Sequence, residues 1–195
     1  ALSYDDERIL GGLDWNVAGR YHDALKIGYR KNGHQLHGIF AFNQNDENVI
    51  GGTFYDSSKT KLYKNMQTLW YHYDFASTPL QFSIMAMNLG QEGGDAESRK
   101  SDTQYMQTFG TYIKYAPGQW NLSGAFYYQF GKNVSSRSVS AFMGSARASY
   151  NINKSWSVNV GTDYLSGNDK SDGTYKAFNP LYGTHHKFYG AMDYF

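Results

Sequence analysis

Apolar and polar residues alternate with a period of two along most of this chain, and the alternation is longest between Asp102 and Phe130. There Tyr105, Phe109, Ile113 and Tyr115 occupy odd positions, and Gln104, Thr108 and Lys114 stand between them. After the turn Ala116-Pro117-Gly118-Gln119, the even positions Trp120, Leu122, Phe126, Tyr128 and Phe130 are apolar. Alternation of this kind on both sides of a tight Pro-Gly turn predicts a β-hairpin. Its arms of about 11 residues exceed the usual strand of about 5–6 residues. A tilted strand of about 9–11 residues suits the hydrocarbon of a bilayer, with aromatic residues at the two interfaces.

The same pattern predicts about ten strands. The first runs from Arg8 to Trp15 and the second from Asp23 to Lys31, where Asn32-Gly33 predicts a type I′ turn. His34–Gln44, Lys61–Phe75 and the stretch from Leu80 through Ala86 follow, then the two hairpin arms. Beyond the polar stretch Gly131–Arg137 come Phe142–Tyr150, the arm carrying Trp156 to Tyr164, and a last strand, His185–Phe195. Tight turns at Lys31–Gly33, Ala76–Pro79, Ala116–Gln119 and Asn151–Lys154 alternate with longer polar links. That asymmetry matches short periplasmic turns and long outer loops of a barrel in the outer membrane of a Gram-negative bacterium. The expectation is a single domain over residues 1–195, an all-β antiparallel transmembrane β-barrel.

Aromatics reinforce this. They make up 17% of the 195 residues, with 18 Tyr, 12 Phe and 4 Trp. Tyr29, Phe75, Tyr115, Trp120, Tyr150, Trp156 and Tyr194 gather beside the tight turns, as an interfacial girdle would. A second set, including Trp15, Phe42, Tyr63, Tyr105, Tyr128, Phe142 and Tyr164, falls at the opposite strand ends. Mean hydropathy is −0.63. No apolar run approaches the ~18 residues of a transmembrane helix, which leaves strands as the only means of crossing. Cysteine is absent and the formal charge is +1, so neither a disulfide framework nor a strong field for nucleic acid is expected. No signal peptide precedes Ala1, so a mature, truncated or partial chain is expected.

The final stretch, Phe178 to Phe195, reads FNPLYGTHHKFYGAMDYF. It resembles a segment of the alginate-export family of outer-membrane barrels, in which F-N-P-x-Y-G is followed by H-K-F and G-x-M-D. RILGGLDWNVAGRYHDA (Arg8 to Ala24) and AFNQN (Ala41 to Asn45) are similar to further family segments. The resemblance implies an outer-membrane barrel with a polar lumen, in a family named for passing an anionic polysaccharide outward. Members form barrels nearly twice the size of about ten strands, so the resemblance also implies a fragment of a larger member.

With the apolar phase facing lipid, the other phase lines the lumen. The basic pore-lining candidates are Arg8, Lys26, Arg30, Lys64, Lys114, Arg147 and Lys187; the acidic ones are Asp14, Asp74, Asp163 and Asp193. Seven against four is a basic excess, which favours passage of anions. Cross-strand pairing of the same Arg and Asp residues would instead fill the interior. Lys114 stays open between a snorkelling interfacial amine and a lumen residue.

His72 and Asp74 share a face but sit at the tight-turn end, and His185 lacks the second acidic pair that water activation at the outer mouth needs. No enzyme, cofactor or catalytic residue is expected. The Asp-rich runs Asn45-Asp46-Glu47-Asn48 and Asn168–Gly173 lack the spacing of a twelve-residue calcium loop and read as solvated turns.

The functional expectation is a porin-like channel for an anionic polysaccharide or small anionic solutes, with outer-membrane lipid, an anionic saccharide or further subunits as partners. The alternatives are a structural or docking barrel with a plugged lumen, and a secreted sugar-binding β-sandwich.

Overall fold

Asn32 and Gly33 both adopt positive φ, 51° and 82°, as a two-residue hairpin turn requires, and they join the first two strands of one sheet. The computed structural model describes residues 1–13, 19–43, 63–93, 101–169 and 173–189. The strands are β1 (Ala24–Lys31), β2 (His34–Phe42), β3 (Asn65–Asp74), β4 (Leu80–Glu92), β5 (Thr103–Tyr115), β6 (Trp120–Lys132), β7 (Ser138–Asn151) and β8 (Ser157–Leu165). Each pairs antiparallel with the next, giving one eight-stranded sheet in the order of the sequence. The fold is all-β and antiparallel. β1 and β8 are its two edges and do not pair with each other, so the sheet is not closed.

Contacts divide the chain into two units, residues 24–178 and residues 1–23 with 179–195. In the first, the four tight turns lie at one end of the strands; at the other end the β2–β3 and β4–β5 links are longer, while the β6–β7 link, residues 133–137, is as short as the turn at residues 75–79. Beyond the end of β8 the chain returns along β7. Tyr175 forms a parallel bridge with Val139, and the Arg137 guanidinium stands 5.6 Å from the Tyr175 ring centre. Among the described residues no helix is long and apolar enough to cross a membrane.

The second unit corrects two strand assignments. The described part of Arg8–Trp15 has only a single parallel bridge, Leu10 to Tyr182, in which Gly11 N donates to Tyr182 O at 2.9 Å and Tyr182 N to Ile9 O at 3.0 Å. His185–Phe195 begins not as a strand but as the helical turn α1 (His186–Tyr189), with Phe188 N donating to His185 O at 3.0 Å. Short alternations such as Ile9/Leu13 fit a strand, but burial of Ile9 and Leu10 together at adjacent positions does not need one. Tyr4, Ile9, Leu10 and Tyr182 form this unit's core. The Arg20 guanidinium binds it by donating to the carbonyls of Gly11, Tyr182 and Gly183. Thus the RILGG and FNPLYGT stretches, far apart in sequence, pack on one another.

Candidate functional site: an exposed apolar belt and a divided opposite face

Because side chains alternate across a strand, register decides which residues share a face. Along one such face run Leu25, Ile27 and Tyr29 of β1, then Leu36, Phe40 and Phe42 of β2. Leu69 of β3, Ile84 of β4 and Phe109 and Ile113 of β5 continue it, followed by Leu122, Phe126 and Phe130 of β6. Phe142 of β7 and Val158, Val160 and Tyr164 of β8 complete it. All of these side chains are exposed, Leu25 by 62% and Val160 by 73%. A monomeric soluble protein rarely leaves more than a few hundred Å² of contiguous apolar surface uncovered. Here the apolar surface extends over eight strands.

The predicted girdle residues lie at the tight-turn end of this belt. Trp120 and Tyr150 are register partners with ring centres 4.8 Å apart, and the Tyr150 hydroxyl donates to Gln119 Oε1 at 2.6 Å. Tyr73, Phe75 and Phe82 form a second edge-to-face group, with Tyr73 and Phe75 4.7 Å apart. Tyr29, Tyr115 and Trp156 are exposed at the same end. Tyr194 lies outside the described residues.

Besides single polar residues such as Thr111, Ser140 and Thr162, one polar row interrupts the belt. Gln67, Asn88 and Gln107 are register neighbours on its surface across β3, β4 and β5. Gln107 Nε2 donates to Asn88 Oδ1 at 2.7 Å, Asn88 Nδ2 to Gln67 Oε1 at 2.7 Å, and Gln67 Nε2 to Asn65 Oδ1 at 3.0 Å. Phe40 and Phe130 flank the row on β2 and β6.

The opposite face is divided along the strands. Toward the longer links, its register rows hold Ala41, Met66, Leu89 and Met106; then Ile39, Thr68, Met87, Thr108, Gln129 and Ala141; then Trp70, Met85, Gly110, Tyr127 and Met143. All of these are buried. This half is packed and largely apolar, unlike the polar lumen expected along the whole face. The unbranched Met side chain suits it, since it fills irregular gaps. Toward the tight turns the rows turn polar, with His72, Ser83, Tyr112, Ser145 and Asp163, then Asp74, Gln81, Lys114, Ser123 and Arg147.

Within the polar half, Arg147 Nη2 stands 3.8 Å from Asp163 Oδ2, a cross-strand pair between β7 and β8. His72 Nε2 is 3.1 Å from Asp74 Oδ1. The His72 ring stacks on Trp70 at 5.2 Å, and Trp70 stacks in turn on His37 at 5.1 Å. Among the described residues no group of three or more His, Asp or Glu side chains is placed to hold a metal ion.

Several pore-lining candidates stand elsewhere. Arg8 is buried in the smaller unit, with Nε 2.7 Å from Asp6 Oδ2 and its guanidinium 4.0 Å from the Phe188 ring centre. Lys187 is on α1, 3.3 Å from Glu7 Oε2. Neither is a strand residue, so neither can line a wall by alternation. Lys64 precedes β3 and pairs with Glu92 at 2.7 Å, at the end of the sheet away from the tight turns. Lys26 and Arg30 of β1 share the phase of the polar face, as do Lys114, Arg147 and Asp163. Asp14 and Asp193 lie outside the described residues, as does the Asn45–Asn48 run. Among described strand residues of that phase the basic excess becomes four (Lys26, Arg30, Lys114, Arg147) against two (Asp74, Asp163).

In the smaller unit, burial and the nearby Arg20 charge hold the His22 imidazole down to about 4, with a lesser push from the N-terminal amine. Its ring meets Tyr182 edge-on at 5.5 Å. His185 is lowered as well, chiefly by burial.

The amide row and the packed Met rows were not visible in the sequence. Gln67 and Gln107 look like ordinary interruptions of an apolar phase, and Met85, Met87 and Leu89 merge with Ile84 and Ala86 into one apolar run. No family model, curated protein or solved structure matches this chain.

Proposed function

We propose that the eight strands are a section of wall in an outer-membrane β-barrel of porin-like type, resembling the alginate-export barrels, that passes an anionic polysaccharide or small anionic solutes. The observation that carries this is the belt: an exposed apolar face across all eight strands, with Trp, Tyr and Phe gathered at the tight-turn end. Lipid is the covering that such a face fits, with the aromatic rings at the headgroup level. Unpaired strand edges are not viable in hydrocarbon. Further antiparallel strands therefore continue the wall beyond β1, whose residues are exposed on both faces, and β8, whose residues are mostly so. The basic excess over the whole polar phase supports anion preference, because fixed positive charge lowers the entry barrier for an anion.

Flotation with lipid vesicles and single-channel recording in planar bilayers test this together. The protein is expected to float and to conduct with anion preference. A protein that stays in the aqueous phase refutes the membrane reading.

A second reading has its own support. The Met-rich half of the polar-phase face is buried rather than lined by water, which fits a barrel whose interior is plugged and whose role is structural or docking. Membrane insertion without conductance would favour it.

A further inference from the structure

We infer that the apolar belt carries a site for one membrane lipid, its acyl chain in the groove between Phe40, Phe109 and Phe130 and its ester carbonyls on the amide row Gln67–Asn88–Gln107. The inference rests on the belt being lipid-facing and goes beyond it by naming a ligand and the groups that hold it.

The groove has a volume of about 340 Å³. Its walls are aromatic, and Gly38, Leu69 and Ala86 lie between them. Small side chains at Gly38 and Ala86 leave the depression, and the Phe40 and Phe109 rings stand beside them. The amides close one side, and their hydrogen bonds run in one direction, each amide nitrogen donating one N–H to the next residue's oxygen. A primary amide has two N–H donors. None of the described residues accepts the second N–H of Gln67, Asn88 or Gln107.

In hydrocarbon, an amide N–H without an acceptor costs about 2 kcal/mol or more. Three of them in a row on a lipid-facing surface call for acceptor oxygens that are themselves attached to hydrocarbon. Acyl esters have that chemistry. Polarity along the strands also runs in an amphiphile's direction. Leu69, Ala86 and Phe109 lie on the tight-turn side of the amides, for the chain. Asn65 and Tyr105 lie on the other side, for the headgroup. The same face of a second copy is built mainly of Leu, Ile, Val and Phe, whose side chains carry no acceptor oxygen.

The test uses the full chain refolded into vesicles containing equal amounts of diacyl phosphatidylethanolamine and its dialkyl-ether analogue, which lacks the ester carbonyls. Flotation is scored first. Lipid retained after gentle detergent extraction is then counted by native mass spectrometry. The wild type is expected to retain one lipid per chain with a diacyl preference of about fivefold, the value of one net hydrogen bond. Asn88→Leu should lose the preference while still floating, and Ala86→Phe, which fills the groove, should lose the retained lipid. Equal retention of the two lipids, indifference to both substitutions, or a dimer in place of a lipid adduct overturns the site while leaving the membrane reading intact. Failure of the wild type to float overturns both.

Discussion

Lys64 Nζ stands 2.7 Å from Glu92 Oε2, so a residue just before β3 is tied to the last residue of β4. The same carboxylate accepts from the Ser101 hydroxyl at 2.7 Å and from the Asp102 backbone N–H at 2.5 Å, which brings in the start of β5. Lys64 also donates to the Ser101 and Thr103 hydroxyls. The Glu92 side chain is only 5% exposed, so this network is shielded from the screening that weakens surface pairs. Glu92→Gln keeps the shape and removes the charge; it is expected to cost about 2 kcal/mol, in the range of charge-assisted hydrogen bonds. Glu92→Ala should cost more, because it strands a part-buried ammonium. Urea titration of the vesicle-folded protein measures both.

A closer fit holds the middle of the sheet. A Cβ built on Gly110 would lie 2.0 Å from Cδ1 of Tyr127, its register partner on β6. The Tyr127 ring therefore lies over the glycine, and it is only 1% exposed. Gly110→Ala is expected to destabilise by about 1–3 kcal/mol through overpacking. Adding Tyr127→Leu should return part of that loss, whereas two independent sites would show simple additivity. Thermal unfolding of the two single variants and the double variant decides it.

The belt makes a prediction whose size depends on its surroundings. Ile113 is 48% exposed, and at such a position in water, exchange for a polar residue changes stability by no more than about 0.5 kcal/mol. Facing lipid, Ile113→Arg should cost about 2–4 kcal/mol if the position lies near the bilayer midplane. Equilibrium folding into vesicles measures the difference directly, and a near-zero cost would argue that water covers this face.

How far these features could be read from the sequence depended on whether a residue's two strand neighbours differed from it. Around Trp120–Phe130, apart from the buried Tyr127, large apolar residues alternate with small or polar ones, so strand, phase and exposed face were legible. In β4 both phases are apolar near Met85–Leu89, and the buried face could not be told from the belt. The amide row is a relationship among three strands, and no single-strand pattern contains it. Arg8 and Lys187 failed as wall residues for another reason. Their stretches pack through isolated bridges, turns and a guanidinium that collects carbonyls, and none of these has a sequence period. The hydrogen bonds that join RILGG to FNPLYGT depend on chain return, which local sequence does not encode.

The smaller unit should respond to acid through His22. With a folded value of about 4, below the ordinary 6.5, the unfolded chain binds more protons between those two values. Stability then rises with pH across that window, is flat above it, and has lost the full contribution below about 4. Removing the titrating group by His22→Asn should flatten this part of the profile. The readout is hydrogen exchange at the Tyr4, Gly11 and Tyr182 amides, which donate backbone hydrogen bonds within the unit, followed from pH 7 to pH 4. An unchanged slope in the variant would assign the acid response to other groups.

On the channel reading, solute selectivity would follow from the charges of the whole non-belt phase. Lys26, Arg30, Lys114 and Arg147 oppose Asp74 and Asp163 there, and Arg147 already spends part of its field on Asp163 at 3.8 Å. Lys114 is the register partner of Gln81 and of Ser123, neither of which is charged, so no directly paired residue offsets its charge. Lys114→Glu would turn four against two into three against three and erase the excess. If the channel reading holds, the reversal potential in a salt gradient should move from anion preference toward zero, while Lys114→Arg keeps it. Arg147→Glu should also shift it toward cations, but with a loss of stability as well, because it sets two carboxylates against each other across β7 and β8. A Lys114→Glu variant that conducts with unchanged selectivity would show that solutes pass where this face does not reach them.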